Sequence, residues 1–212
     1  MNHLFFNQTD MQTKFLLPML FVLTAVFSVS TGCAVQRNMP KPQSGIYLTA
    51  PDYLASKLSL ANPCGKKHKI KLNNFWGSQH LTVMHEGQKY RFNKDSIYAY
   101  QDCKGKVFRF FSNYSNEYEI LEKKTVMVYS NIVNEGTGKG IHSVTRYYFS
   151  VLPDSAIKPL TLENVKNAFP DNHALHNELD KYFRSDAELC TYDARHKAFR
   201  INHILGETTF LH

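Results

Sequence analysis

The chain has 212 residues, 43% hydrophobic and 13% aromatic with only 20% charged, a composition that supplies a core and excludes disorder as its main state. Its formal charge of +7 admits acidic partners such as phospholipid, anionic glycan or nucleic acid and selects none of them. The longest apolar stretch, Phe15 to Phe27, would cover only about 20 Å as a helix, short of a hydrocarbon core of ~30 Å, so a permanent transmembrane helix is not its reading.

That stretch follows Lys14 and runs into a small, polar tract, Ser28 to Gly32, ending at Cys33. This is the layout of a bacterial secretory signal, and Met11 offers a second start just before it. Ser30-Thr31-Gly32-Cys33 resembles the lipobox of bacterial lipoproteins, in which small residues precede a Cys that is acylated and becomes the mature N-terminus. Ser30 stands where that family usually carries an aliphatic residue. The resemblance implies lipidation at Cys33, and ordinary cleavage after Ala34 is the alternative; either way the mature protein is exported. Residues 1–32 therefore read as a signal peptide. Residues 33–45, polar with Pro40, Pro42 and Gly45, read as a flexible tether, and 46–212 as a single α+β domain.

Thr49, Pro51 and Asp52 predict a short capped helix over 50–57. From Lys69 to Leu152 short alternating segments predict strands at 67–72, 80–85, 88–93, 97–102, 106–112, 117–122, 124–133 and 142–152. Glu86-Gly87, Lys104-Gly105 and Asn113-Tyr114-Ser115-Asn116 separate three pairs of them as hairpin turns. The expected fold is an antiparallel meander of six to eight strands, curled into a twisted sheet or a small barrel and followed by two or three C-terminal helices. Thr161 caps the first, carrying Leu162, Val165 and Phe169 and ended by Pro170. Asp171 caps a second, with Leu175, Leu179, Tyr182 and Phe183 inward. A last, two-sided helix is expected from Asp186 to Leu205, with Cys190, Ala194, Ala198, Ile201 and Leu205 on one stripe and Tyr192, His196, Phe199 and His203 opposite.

Export places Cys64, Cys103 and Cys190 in an oxidising compartment. Three pairings are possible; Cys64 before the first meander strand and Cys103 at a turn form the preferred pair, and three free, packed thiols are the competing reading. Charge is uneven, +9 over residues 33–112, zero over 113–150 and −2 over 151–212. Lys67, Lys69 and Lys71 alternate onto one side of a strand. They read as a solvated edge guarded by lysines, with an anion site as the alternative.

His173 and His176, three apart on a helix near Asp171, are the metal candidates, but with no identifiable third ligand they read as a surface pair and no cofactor is expected. His196 and His203, seven apart on the expected last helix, would stand too far apart to share an ion. No nucleophile elbow occurs, and Gly136-Thr137-Gly138-Lys139-Gly140 joins two strands where a phosphate loop would open a helix. Glu117 and Glu119 share a strand face beside aromatic residues; solvent exposure is the simple reading and a glycosidase-like pair the other. Aromatics from Tyr90 to Tyr118 interleave with Lys89, Arg91, Lys94, Lys104, Lys106 and Arg109, a pattern that serves a core or a stacking surface.

Gly45-Ile46-Tyr47-Leu48-Thr49, Lys69-Ile70-Lys71-Leu72-Asn73, Ser96-Ile97-Tyr98 and Ala168-Phe169-Pro170-Asp171-Asn172 resemble a group of uncharacterised exported proteins of Bacteroidota-type bacteria, over roughly residues 45–205. The resemblance implies export and one fold, and brings no activity. The expected protein is thus a cell-envelope lipoprotein facing the periplasm or cell surface, anchored to a membrane through Cys33. It is expected to act as a non-catalytic binding or scaffolding module toward an envelope protein or glycan. The alternatives are an envelope hydrolase of glycan or peptide and an anion or glycan binder using the basic half; an exported address argues against nucleic acid.

Overall fold

The computed structural model describes residues 42–74, 78–111, 116–137 and 140–209. The expected signal segment 1–32, Cys33, most of the tether and Tyr114 lie outside them. The described residues form thirteen strands, and eight of them make one open sheet in the order β11-β10-β9-β8-β7-β6-β1-β2. These are β1 Gln43–Tyr47, β2 Ser59–Pro63, β6 Ala99–Gln101, β7 Val107–Phe110, β8 Glu117–Lys123, β9 Met127–Thr137, β10 Gly140–Ser150 and β11 Lys158–Pro159. A second sheet holds β3 Lys69–Lys71, β4 His80–His85 and β5 Gln88–Asn93 in that order. The last pair, β12 Tyr192–Asp193 and β13 Ala198–Phe199, makes a small hairpin.

The fold is α+β and antiparallel, and the sheet does not close into a barrel. The meander is real from β6 to β11, but its first three strands split away. Two strands that sequence reading did not find, β1 and β2, complete the large sheet instead. β1 begins at Gln43, and Ser44 is 1% exposed, so the folded domain starts inside the stretch expected to be tether. Gly45 is needed there because a Cβ would stand 2.7 Å from the Leu58 side chain and from the Ser59 carbonyl. At the β4–β5 turn Glu86 and Gly87 have φ of 53° and 87°, the left-handed pair that a two-residue hairpin requires.

Period-two alternation divides the large sheet into two faces. On one, the ladder Ile46, Tyr100, Phe108, Glu119, Ser130, Tyr147 crosses the sheet from β1 to β10. The small sheet covers one end of that face, burying Ile46, Tyr100 and Phe110 against Leu81 and Val83. Helices cover the other end, burying Val128 and Phe149 against Val165, Leu175, Leu179 and Ile201. The opposite face carries Tyr118, Met127, Tyr129 and Ile157, with Tyr53 packed beside them.

Helix α1, Ala50–Leu54, has its capping box: Thr49 accepts from Asp52 N–H and Asp52 accepts back. Helix α2, Leu162–Ala168, is capped by Thr161. Helix α3, His173–Tyr182, is capped by Asn172, whose side chain accepts from Leu175 N–H, one residue later than the expected Asp171. The long last helix is not formed. Its span holds α4 Asp186–Leu189, the β12–β13 hairpin, and α5 Arg200–Thr209. Asp193 causes the break: its Oδ1 accepts from Arg195 and His196 N–H, closing a turn, and Lys197 at φ 49° reverses the chain.

Candidate functional site

Between the small sheet and the helices a strip of the first face is left open. It forms a groove of about 430 Å³ lined by Phe108, Glu117, Glu119, Ser130, Ile132 and Asn134 among others. Period two aims Glu117 and Glu119 of β8 onto this same face. Lys106 Nζ spans both oxygens of Glu119, at 2.8 and 3.0 Å, and that hydrogen bond raises the lysine's pKa. Tyr100 donates to Glu117 Oε2 at 2.5 Å and Asn74 donates to Oε1. Burial, reinforced by the Glu117 charge, drives the Tyr100 phenol far above its ordinary pKa, so it stays a donor. Behind them Lys94, 1% exposed, donates to Asn74 Oδ1 at 2.6 Å and lies 5.4 Å from the Phe110 ring centre. Desolvation pulls that ammonium below the usual lysine value, and Glu117 opposes the shift. All four oxygens of the two carboxylates are therefore engaged from the protein side.

The groove opens at the root of an arm. β9 and β10 pair continuously from Met127–Ser150 to Thr137–Gly140, whereas β8 pairs β9 only as far as Ser130. Ile132 and Ile141 stand on one face of this ribbon, 71% and 81% exposed. The other face carries the Glu135–Arg146 ion pair.

The opposite side of the large sheet is closed. Arg109, 5% exposed, lies between Tyr98 and Phe111 at 5.2 and 5.5 Å, and donates to the Tyr129 hydroxyl at 3.1 Å. Tyr129 bonds Ser150 at 2.8 Å. Burial pushes the Tyr53 phenol up to about 12 and that of Tyr98 further. Of the two readings of the interleaved aromatics, core or stacking surface, the core is the one formed: they divide between two faces, and Lys94 and Arg109 are buried among them.

A cationic surface forms elsewhere, on the small sheet. Register aligns Lys69 with Met84 and Lys89, and Lys71 with Thr82 and Arg91. Ile70, Val83 and Tyr90 alternate inward to the core, so Lys69, Lys71, Lys89 and Arg91 share the outer face. All four are exposed, and none enters an ion pair among the described residues. Lys66 and Lys67 line a cleft of about 470 Å³ at the β3 end of this sheet. Of the expected row, Lys69 and Lys71 share the outer face of β3, whereas Lys67 falls in the turn closed by the Gly65–His68 bridge before that strand begins; Lys106 and Arg109 are committed elsewhere.

Cys64 and Cys103 are joined by a disulfide with Cα atoms 5.8 Å apart, and Cys190 is a free, half-buried thiol. Nearby, His68 is 2% exposed and donates from Nε2 to the Ser44 carbonyl at 2.9 Å. His173 and His176 have ring centres 6.0 Å apart. Nε2 of His176 donates to the carbonyls of Phe169 and Lys166 at 2.9 and 3.2 Å, closing the end of α2, so that nitrogen is committed as a donor. Asp171 and His173 line a broad dish at the α2–α3 corner. No group of three or more His, Cys, Asp or Glu side chains able to hold a metal occurs among the described residues.

His196 and His203 reverse the expectation for a continuous helix: the hairpin folds His196 back until the two rings stack at 3.8 Å. Asp193 Oδ2 accepts from His196 Nδ1 at 2.7 Å, and His196's hydrogen bonds lower the Asp193 pKa from 3.8 to about 2. A folded-state value below the unfolded one makes this contribution present above about pH 4 and lost as pH falls through about 2. Asp193→Asn keeps the turn-closing acceptor and removes the charge. Its deficit in melting temperature should therefore shrink from pH 5 to pH 2, and a deficit constant over that range would deny the carboxylate any part in it.

No protein-family model matches the chain, and no curated protein or solved structure matches it either. The groove and the cationic face are the two surfaces where its chemistry gathers.

Proposed function

We propose that the protein is an exported, lipid-anchored module of the cell envelope that binds a glycan in the groove at the root of the arm and does not cleave it. The observation that carries this reading is that each oxygen of the two carboxylates already has one protein partner. A glycosidase needs one carboxyl group free to deliver a proton to the leaving oxygen and another free to attack or to activate water. Glu117 is held by Tyr100 and Asn74, and Glu119 by Lys106, so neither is disposed for proton delivery. Each oxygen keeps a second lone pair, and a carboxylate locked in orientation is a good acceptor for sugar hydroxyls. Phe108 adds an apolar surface for a sugar ring, and Ser130, Asn131 and Asn134 add neutral donors and acceptors. The hydrogen-bonding groups on the ligand side are thus matched to hydroxyls more than to anions.

Calorimetry of the purified chain against a panel of soluble envelope oligosaccharides tests this, with reducing-end release followed in parallel. Binding should weaken about tenfold in Glu119→Gln and in Phe108→Ala, each removing one contact worth about 1 to 2 kcal/mol. No binding by any member of the panel would sink the proposal. Reducing-end release that disappears in Glu117→Gln would replace it with the hydrolase reading. The anchor is tested separately by intact mass of the native membrane-fraction protein, which should begin at an acylated Cys33; an unmodified later terminus would remove the anchor.

A further inference from the structure

We infer that the outer face of the three-stranded sheet docks on the anionic phosphate headgroups of the bilayer, holding the domain down on its cationic side. The inference takes its orientation from the lipid anchor proposed above. Lys69, Lys71, Lys89 and Arg91 lie on two outer strands separated by β4, so they form a block of about 7 by 10 Å, at two-residue spacing along each strand and two strand spacings across. The positions between them on that face, Thr82 and Met84, are uncharged. Edge protection by lysine explains a cation on each outer strand. It does not require all four on one face with no acid among them, and a flat charged plane does.

The chain's entry point is at the same corner. Gln43 pairs with Pro63, and the carbonyl of the next residue, Ser44, accepts from His68, which lies between Lys67 and Lys69. Nine residues separate Cys33 from Gln43. Whatever path they take, they cannot span more than about 35 Å. A bilayer-bound Cys33 therefore keeps this corner within reach of the headgroups, and the flat cationic plane beside it supplies the complementary charge. Lys66 and Lys67 stand in the adjoining cleft beside the entry point, where Glu86 also lines the wall, so the cationic plane itself is the four side chains on the strands.

Docking is tested without the acyl chains, on the mature chain from residue 33 carrying Cys33→Ser. It is sedimented with vesicles of phosphatidylcholine alone and of phosphatidylcholine with about one third phosphatidylglycerol, at low and high salt. The chain should partition onto the anionic vesicles and be released by salt. Lys69→Gln, Lys71→Gln, Lys89→Gln and Arg91→Gln combined should reduce partitioning about a hundredfold or more, at roughly fivefold per cation. A control with Lys104→Gln, Lys158→Gln, Arg184→Gln and Arg195→Gln removes the same charge from other exposed positions and should retain most of the binding. Equal loss in both variants, or no partitioning by the parent chain, overturns the inference. Retention of an acidic polysaccharide with no partitioning onto vesicles also overturns it, in favour of a polymer ligand. Acylation of Cys33 with no vesicle binding leaves the anchor standing and removes the docking. Vesicle binding by a protein whose native Cys33 is unmodified does the reverse.

Discussion

Cys64→Ser combined with Cys103→Ser should lower the unfolding free energy by about 3 to 4 kcal/mol, the loop-closure entropy expected for cysteines 39 residues apart. The bond does more than close a loop. Cys64 directly follows β2 and Cys103 stands two residues past the end of β6, so the bond clips together two strands that flank β1 on either side. Between these residues in sequence lies the whole small sheet, whose core contribution rests on Leu81 and Val83 against Ile46 and Tyr100. Loss of the bond should therefore appear first as faster amide exchange in β1 to β5, while α3 and α5 keep their protection. Denaturant titration of oxidised protein and double variant measures the total. A difference below about 1 kcal/mol would mean that the packing of the two sheets alone holds this end.

Asn202→Ala should cost about 3 to 5 kcal/mol, more than most single core truncations of its size. Asn202 is 3% exposed on α5 and makes three bonds across to the sheet. Its Oδ1 accepts from Val126 N–H at 2.9 Å, and its Nδ2 donates to the Val126 carbonyl at 3.0 Å and to Glu122 at 2.7 Å. Truncation leaves the buried Val126 N–H without a partner, at roughly 1 to 3 kcal/mol, leaves the Val126 carbonyl only the 3.4 Å bond from Lys124 N–H, strips a donor from Glu122, and opens a cavity between α5 and the sheet. Asn202→Asp separates the terms. It keeps the acceptor for Val126 N–H, loses the donor, and sets a second carboxylate against Glu122, so it should be at least as damaging as Ala near neutral pH and recover as pH is lowered. Thermal melts of both variants at pH 7 and pH 5 decide; an Asp variant indifferent to pH would show that Glu122 is not its neighbour in solution.

Local signals in the chain were strong where structure is local. Thr49 with Asp52, Thr161 before Leu162, and Glu86-Gly87 between alternating runs each name their own element, and those elements stand at or within a few residues of the predicted bounds. What stayed illegible depends on distant partners. Gln43-Ser44-Gly45 reads as tether because Pro42 and Gly45 break pattern; only Leu58 and Ser59 pressed against Gly45 make it a strand. The Asp193–Lys197 turn has no Gly or Pro, and Cys190, Ala194, Ala198, Ile201 and Leu205 happen to fall at helical spacing across it. The cationic face was half visible: Lys69 and Lys71 alternate plainly, but only the register of β4 brings Lys89 and Arg91 beside them. The groove needed more again, since Glu117 meets Tyr100 and Asn74 through two different sheets.

The position of β1 has a mechanical consequence. It is the first described strand of the chain, yet it is an inner strand, hydrogen-bonded to β2 on one side and to β6 on the other. A tug arriving from the N-terminal chain pulls along the strand axis while the ladder bonds run across it, so both ladders resist together in shear. An outer strand such as β11, with a single neighbour, would instead peel off one bond at a time. Force entering through the N-terminal chain would thus meet the domain at a strand that resists extraction, although β2 beside it is itself an outer strand with one ladder.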